Sequence, residues 1–117
     1  MIVQQLEKQR PFTTKDGSTI RSILNRENAP VEKHSMAEAS LPPGMQTQLH
    51  HHKRSEEFYF MLEGRATMEI EGEIREVGPG DAILIPAGSW HQITAHTPAR
   101  FLCSCAPPYD HADTYFE

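Results

Sequence analysis

Hydrophobic and polar positions alternate with a period of two along most of this chain, and no stretch of a dozen residues carries a helical stripe. Ala66, Met68 and Ile70 alternate with Arg65, Thr67, Glu69 and Glu71, the pattern of a strand with one face on a core. In the preceding segment Glu57, Tyr59 and Met61 share one face, and Phe58, Phe60 and Leu62 share the other. With apolar residues on both faces, that strand is predicted to be buried on both sides. Thr19–Leu24, Lys33–Leu41, Ile74–Val77, Ala82–Ile85, His91–Ala95 and Arg100–Cys105 read as further strands. Turn chemistry separates them: Thr14-Lys15-Asp16-Gly17-Ser18, Pro42-Pro43-Gly44, Glu63-Gly64, Glu71-Gly72-Glu73, Gly78-Pro79-Gly80-Asp81 and Pro86-Ala87-Gly88. Asp110 is placed to cap a short last helix over His111–Phe116. Closely spaced strands and turns predict an all-β sandwich or barrel. The chain divides into an N-terminal arm (1–18), one barrel (19–106) and a C-terminal tail or short helix (107–117).

A chain of 117 residues is one domain's worth and buries roughly two-thirds of its unfolded surface. The formal net charge of -5, with Lys53-Arg54 as the only adjacent cations, offers no basic stripe to release counterions, so nucleic acid is not expected as a partner. The polar start after Met1-Ile2-Val3 does not resemble a secretory leader, and Ala82–Ile85 is far too short to span a bilayer. Cys103 and Cys105 lie two apart, on one face of a strand and at the limit of disulfide reach; they are read as reduced thiols of a cytoplasmic protein.

The chemistry concentrates between Gly44 and His91. Strand period puts Gln48, His50 and His52 on one face, Glu57 begins the next strand, and His91 follows a Gly/Pro-rich bend. A lone His-x-His is usually a pair of solvated side chains. Three imidazoles and a carboxylate that can converge suit a divalent transition metal. Four such donors leave the ion with a charge near +1 and about two open positions if it is octahedral, an arrangement for catalysis or ligand binding. His51 alternates outward. By parity with Glu57 and His50, Tyr59, Met61 and Gln48 are candidates to line a pocket, with plain core as the rival reading, and Tyr59 is a weak candidate proton donor.

The spacing Gly44-x5-His50-x-His52-x4-Glu57-x6-Gly64 resembles the first motif of the cupin superfamily, and Gly80-x5-Pro86-x-Gly88-x2-His91 resembles the second. The second motif usually closes with Asn where this chain has Ala95. The resemblance implies a small jelly-roll barrel, or double-stranded β-helix. It implies His50, His52, Glu57 and His91 as ligands, and one ion of Fe, Mn, Ni, Zn, Co or Cu. It also implies a homodimer, to which the arm could add a strand at a partner's sheet edge. The expected function is a metal-dependent enzyme on a small organic, anionic substrate, with dioxygenation first among reaction classes and isomerisation or lyase chemistry next. The alternative is a non-catalytic binder of a small molecule or sugar anchored by the ion, and a metal-free structural protein is a third reading.

Overall fold

The computed structural model describes residues 1–117. Eleven strands run in chain order: β1 (Phe12–Thr13), β2 (Thr19–Leu24), β3 (Ser35–Leu41), β4 (His50–His52), β5 (Glu56–Glu63), β6 (Ala66–Ile70), β7 (Glu73–Val77), β8 (Ala82–Ile85), β9 (His91–Ala95), β10 (Ala99–Ala106) and β11 (Thr114–Phe116). One sheet has the order β1-β2-β3-β10-β5-β8 and the other β11-β4-β9-β6-β7, and every pairing is antiparallel. From β3 onward the chain passes repeatedly between the sheets, as a jelly roll does. No helix is long and apolar enough to cross a membrane.

The core lies between the sheets. Inward positions of the first sheet (Ala39, Leu41, Tyr59, Met61, Phe101) meet those of the second (Ala66, Met68, Ile93, Ala95). Their parity follows from the alternation read in the sequence. Glu71 (φ 48°) and Gly72 (φ 82°) form the two-residue turn between β6 and β7, a turn that needs positive φ at both positions. β7 is an edge strand with four of its five residues exposed, and the charges of Glu73, Arg75 and Glu76 guard it against further pairing.

Two expectations are corrected. β5 is buried on one side only: Tyr59 and Met61 face the core, while Phe58 (52 % exposed) and Phe60 (43 %) stand on the outer face, which no other element of the chain covers. The last helix is a single 3-10 turn, His111–Asp113, capped by the Asp110 side chain accepting from the Ala112 amide. The chain then extends as β11, because Thr114, Tyr115 and Phe116 pair with His52, His51 and His50. The arm's β1 pairs with β2 of its own chain, Phe12 opposite Ile20, and forms the edge of the first sheet.

Candidate metal centre

β4 and β9 lie side by side, with His50 directly opposite His91. The period of two brings His52 to the same inner face, and all three imidazoles are buried, at 1 %, 5 % and 1 % exposure for His50, His52 and His91. Their ring nitrogens approach within 4.8 Å of one another, close enough to hold one metal ion. Glu57, at the start of β5 in the facing sheet, places Oε1 3.5 Å from His52 Nε2 and 3.4 Å from His91 Nε2.

Each imidazole is oriented by a backbone carbonyl. Nδ1 of His50 lies 2.7 Å from the Gln48 oxygen, Nδ1 of His91 2.9 Å from the Ser89 oxygen, and Nδ1 of His52 3.1 Å from the Asp113 oxygen. A carbonyl only accepts, so Nδ1 carries the proton and the Nε2 lone pair is free, which is how metal-binding histidines are held. His91 Nε2 and Glu57 Oε1 are buried without a hydrogen-bond partner. Leaving such atoms unpaired is costly, and a cation between them would satisfy both. The donor set therefore fits a divalent ion.

The electrostatics agree. Burial, and then the neighbouring His91, push His50 down to about 4, keeping it neutral. Burial alone would lower His52 too, but the Glu57 carboxylate reverses the sign and raises it. Burial alone would raise Glu57; the His52 and His91 imidazoles facing it outweigh that and hold the carboxyl well below its usual range. Its other oxygen, Oε2, accepts from Cys105 Sγ at 3.2 Å. Both cysteines are free thiols, and burial pushes them up, so neither is a ready thiolate.

Beside the trio lies a cavity that offers about 50 Å³ to the centres of water molecules, room for a few waters or the end of a small ligand. His50, His52, Glu57, Tyr59, Cys103 and Tyr109 line it, and no lysine or arginine does. Burial raises Tyr59 well above the ordinary phenol range and Tyr109 to about 12, so both hydroxyls stay protonated.

A cupin-domain family model matches residues 37–105. The chain belongs to the cupin superfamily. This cupin is 43 % identical over 116 residues to the uncharacterized protein MJ1618 of Methanocaldococcus jannaschii, covering 97 % of this chain and 93 % of the relative. Its fold is shared with KdgF from Halomonas sp. (TM-score 0.83, 18 % identity, 96 % and 98 % of the two chains). It is shared equally with the nucleoside dehydratase Pac13 of Streptomyces (TM-score 0.84, 15 % identity, 100 % and 91 %).

Of the pocket residues expected from parity, this cupin uses Tyr59 alone. Met61 is fully buried in the core beyond the cavity. Gln48 is exposed, because β4 begins only at His50 and the two preceding residues leave the strand ladder. Gln48 contributes its backbone instead, the carbonyl that orients His50. His51 faces outward and packs between Trp90 (ring centroids 4.2 Å apart) and Tyr115 (5.2 Å).

Two residues escaped sequence reading. Asp113, 3 % exposed, accepts from the backbone amides of Lys53, Arg54 and Ser55 through its carboxylate and orients His52 through its carbonyl. Asp16 places Oδ2 3.6 Å from His50 Nε2. Neither lies near the motif in sequence, so only pairing of distant segments could reveal them.

Proposed function

We propose that this cupin binds one divalent transition-metal ion through Nε2 of His50, His52 and His91 and Oε1 of Glu57, and uses it in catalysis on a small organic molecule. The observation that carries the reading is the orientation of the donors: three imidazoles tied at Nδ1, Nε2 turned inward, and a buried carboxylate oxygen with no other partner. When bound, the ion would act as a Lewis acid on a ligand oxygen, or support oxygen chemistry if it is iron.

The chain's own residues narrow the rest. The cavity admits only a small ligand end, and the lack of a lysine or arginine leaves the ion as the sole partner for a ligand's negative charge. The Tyr59 hydroxyl makes no hydrogen bond within the chain and is held protonated at the cavity wall, suited to donate a hydrogen bond to a ligand oxygen beside the ion. A hydrogen bond of that kind would stabilise charge developing on a ligand oxygen during isomerisation or elimination, and on that ground we put those classes ahead of dioxygenation. A non-catalytic binder is the second reading, favoured by Tyr59 being the one protonated donor facing the cavity from β5. Metal analysis of untagged protein tests the core of the proposal. About one equivalent per chain is expected, and none after reconstitution would overturn it. Exchange of substrate C–H protons with solvent, lost in Tyr59→Phe, separates the enzyme from the binder.

Acid should remove the ion, because a ligating imidazole must be neutral. Of His50 and His52 in the ion-free protein, His52, raised by Glu57, is the more readily protonated, and His50 is pushed down to about 4. In ion-free protein the sign differs. The raised His52 contributes stability that is complete below its ordinary 6.5 and is lost as pH climbs through its folded value. The depressed Glu57 contributes above its ordinary 4.5 and fades as pH falls through its folded value. Melting temperatures with chelator should thus be most favoured by this pair between pH 4.5 and 6.5, and those with ion above it. Parallel curves with and without ion would refute the assignment.

We also propose a homodimer, formed through the outer face of β3, β10, β5 and β8. Met36 and Phe58 both neighbour Ser104, Phe58 lies opposite Leu84, and Phe60 lies opposite Leu102, making one continuous apolar surface. Exposed apolar patches of this kind mark association sites. Light scattering at micromolar concentration should give twice the chain mass, falling toward one in Phe60→Asp; a monomeric parent protein would end the proposal. The two free thiols support a reducing, cytoplasmic location.

A further inference from the structure

The turn between β1 and β2 delivers a carboxylate to the buried histidines. Asp16 Oδ1 accepts all three hydrogen bonds made to this side chain, from Thr14 Oγ1, the Ser18 amide (2.9 Å) and Ser18 Oγ (2.7 Å). Oδ2 is left without a hydrogen bond, 3.6 Å from His50 Nε2, and the residue lines the cavity. The carboxylate is therefore locked by its own turn with one oxygen aimed at the trio.

Two donors that each lie about 2.1 Å from a shared ion stand about 3.0 Å apart at a right angle and about 3.4 Å apart at the tetrahedral angle. The Asp16–His50 separation of 3.6 Å matches the 3.5 and 3.4 Å that Glu57 makes with His52 and His91. The two carboxylates divide the trio between them, Glu57 against His52 and His91, Asp16 against His50. Gln48 links the turn to the same histidine. Its amide donates to the Asp16 carbonyl at 2.7 Å, and its own carbonyl receives Nδ1–H of His50. The peptide that docks the turn thus also orients the ligand.

We propose that Asp16 is a second carboxylate of the metal centre, so that filling the centre with a divalent ion pins the 12–20 hairpin against the barrel. The inference rests on the metal-binding reading above and adds to it a residue from outside the cupin motifs.

Cobalt(II) serves as the probe. It would be titrated into the ion-free protein and into Asp16→Asn, with hydrogen exchange of the amides of residues 12–20 followed with and without the ion. Asparagine keeps the Oδ1 acceptor of the turn, so the variant should melt like the parent in chelator. Its Co²⁺ affinity should fall about 10- to 100-fold, the usual effect of losing a supporting group at a metal site. In the parent, Co²⁺ should slow exchange across the hairpin, and in the variant that slowing should disappear. If the parent binds one Co²⁺, the variant binds it within twofold and the hairpin exchanges identically in both, Asp16 is overturned while the metal reading stands. If the parent binds none, both fall together. Should Asp16→Asn melt lower in chelator, Asp16→Glu, which keeps the charge, should retain affinity that Asp16→Gln loses; equal affinities in that pair would also overturn the proposal.

Discussion

Replacing His91 with alanine will lower the affinity for a divalent ion by at least about 100-fold, more than the loss of a supporting group would, yet leave a barrel that melts cooperatively. His91 lies opposite His50 on β9, and its Nε2 has no partner in the chain, so removing it deletes a donor without breaking an internal side-chain hydrogen bond beyond the one to Ser89. The core is built from other residues, Tyr59, Met61, Ile93 and Phe101 among them, and stays intact. The check is paired: competition titration with a chelator for affinity, and thermal unfolding in the same buffer without ion. Unchanged affinity would remove His91 from the centre. A variant unfolded at 25 °C would show that site and core are not separable.

Gly64→Ala will do the opposite, destabilising the barrel rather than emptying the centre. Gly64 has a φ of 86°, and a Cβ there would stand 2.1 Å from the Pro98 carbonyl oxygen and 2.8 Å from Ala99 Cα. Both are backbone atoms at the entry to β10, so neither can step aside as a side chain would. Positive φ alone costs a non-glycine residue about 1–3 kcal/mol, and the backbone clash adds to it, so a loss on the order of 3 kcal/mol or more is expected in denaturant unfolding. By contrast, Gly44→Ala, also at positive φ but with nothing within 4 Å of the added Cβ, carries only the backbone cost. Equal losses at the two positions would contradict the close-approach explanation.

The contrast at Gly64 shows how far the sequence reaches. That position reads as a turn from composition, and the turn is there; the approach of Pro98 depends on the register in which β10 pairs with β5, shifted at Arg100/Phe101, which no local pattern encodes. The strands, their inward parity and the shared face of His50 and His52 were legible because a period of two is a local property, and the place of His91 beside them was legible only through the resemblance to the cupin motifs. Phe58 and Phe60 were misjudged for a related reason. Alternation says which residues share a face, but not whether anything covers it. Met61 has the parity of Tyr59 yet lies too deep to meet the cavity, and Gln48 has the parity of His50 but precedes the strand. Asp16 and Asp113 could not be found by spacing at all, since each reaches the centre by the folding back of a terminal segment.

The carbonyl of Asp113, which orients His52, is 61 residues away along the chain. Contacts of that span carry the entropy cost of closing a long loop. His50 and His52 are neighbours on one short strand, whereas the third imidazole and the last orienting carbonyl come from segments far along the chain. A divalent ion would need donors that only the closed pair of sheets brings together. Such an ion would bind the folded barrel and not the open chain, and would shift the balance between them by mass action.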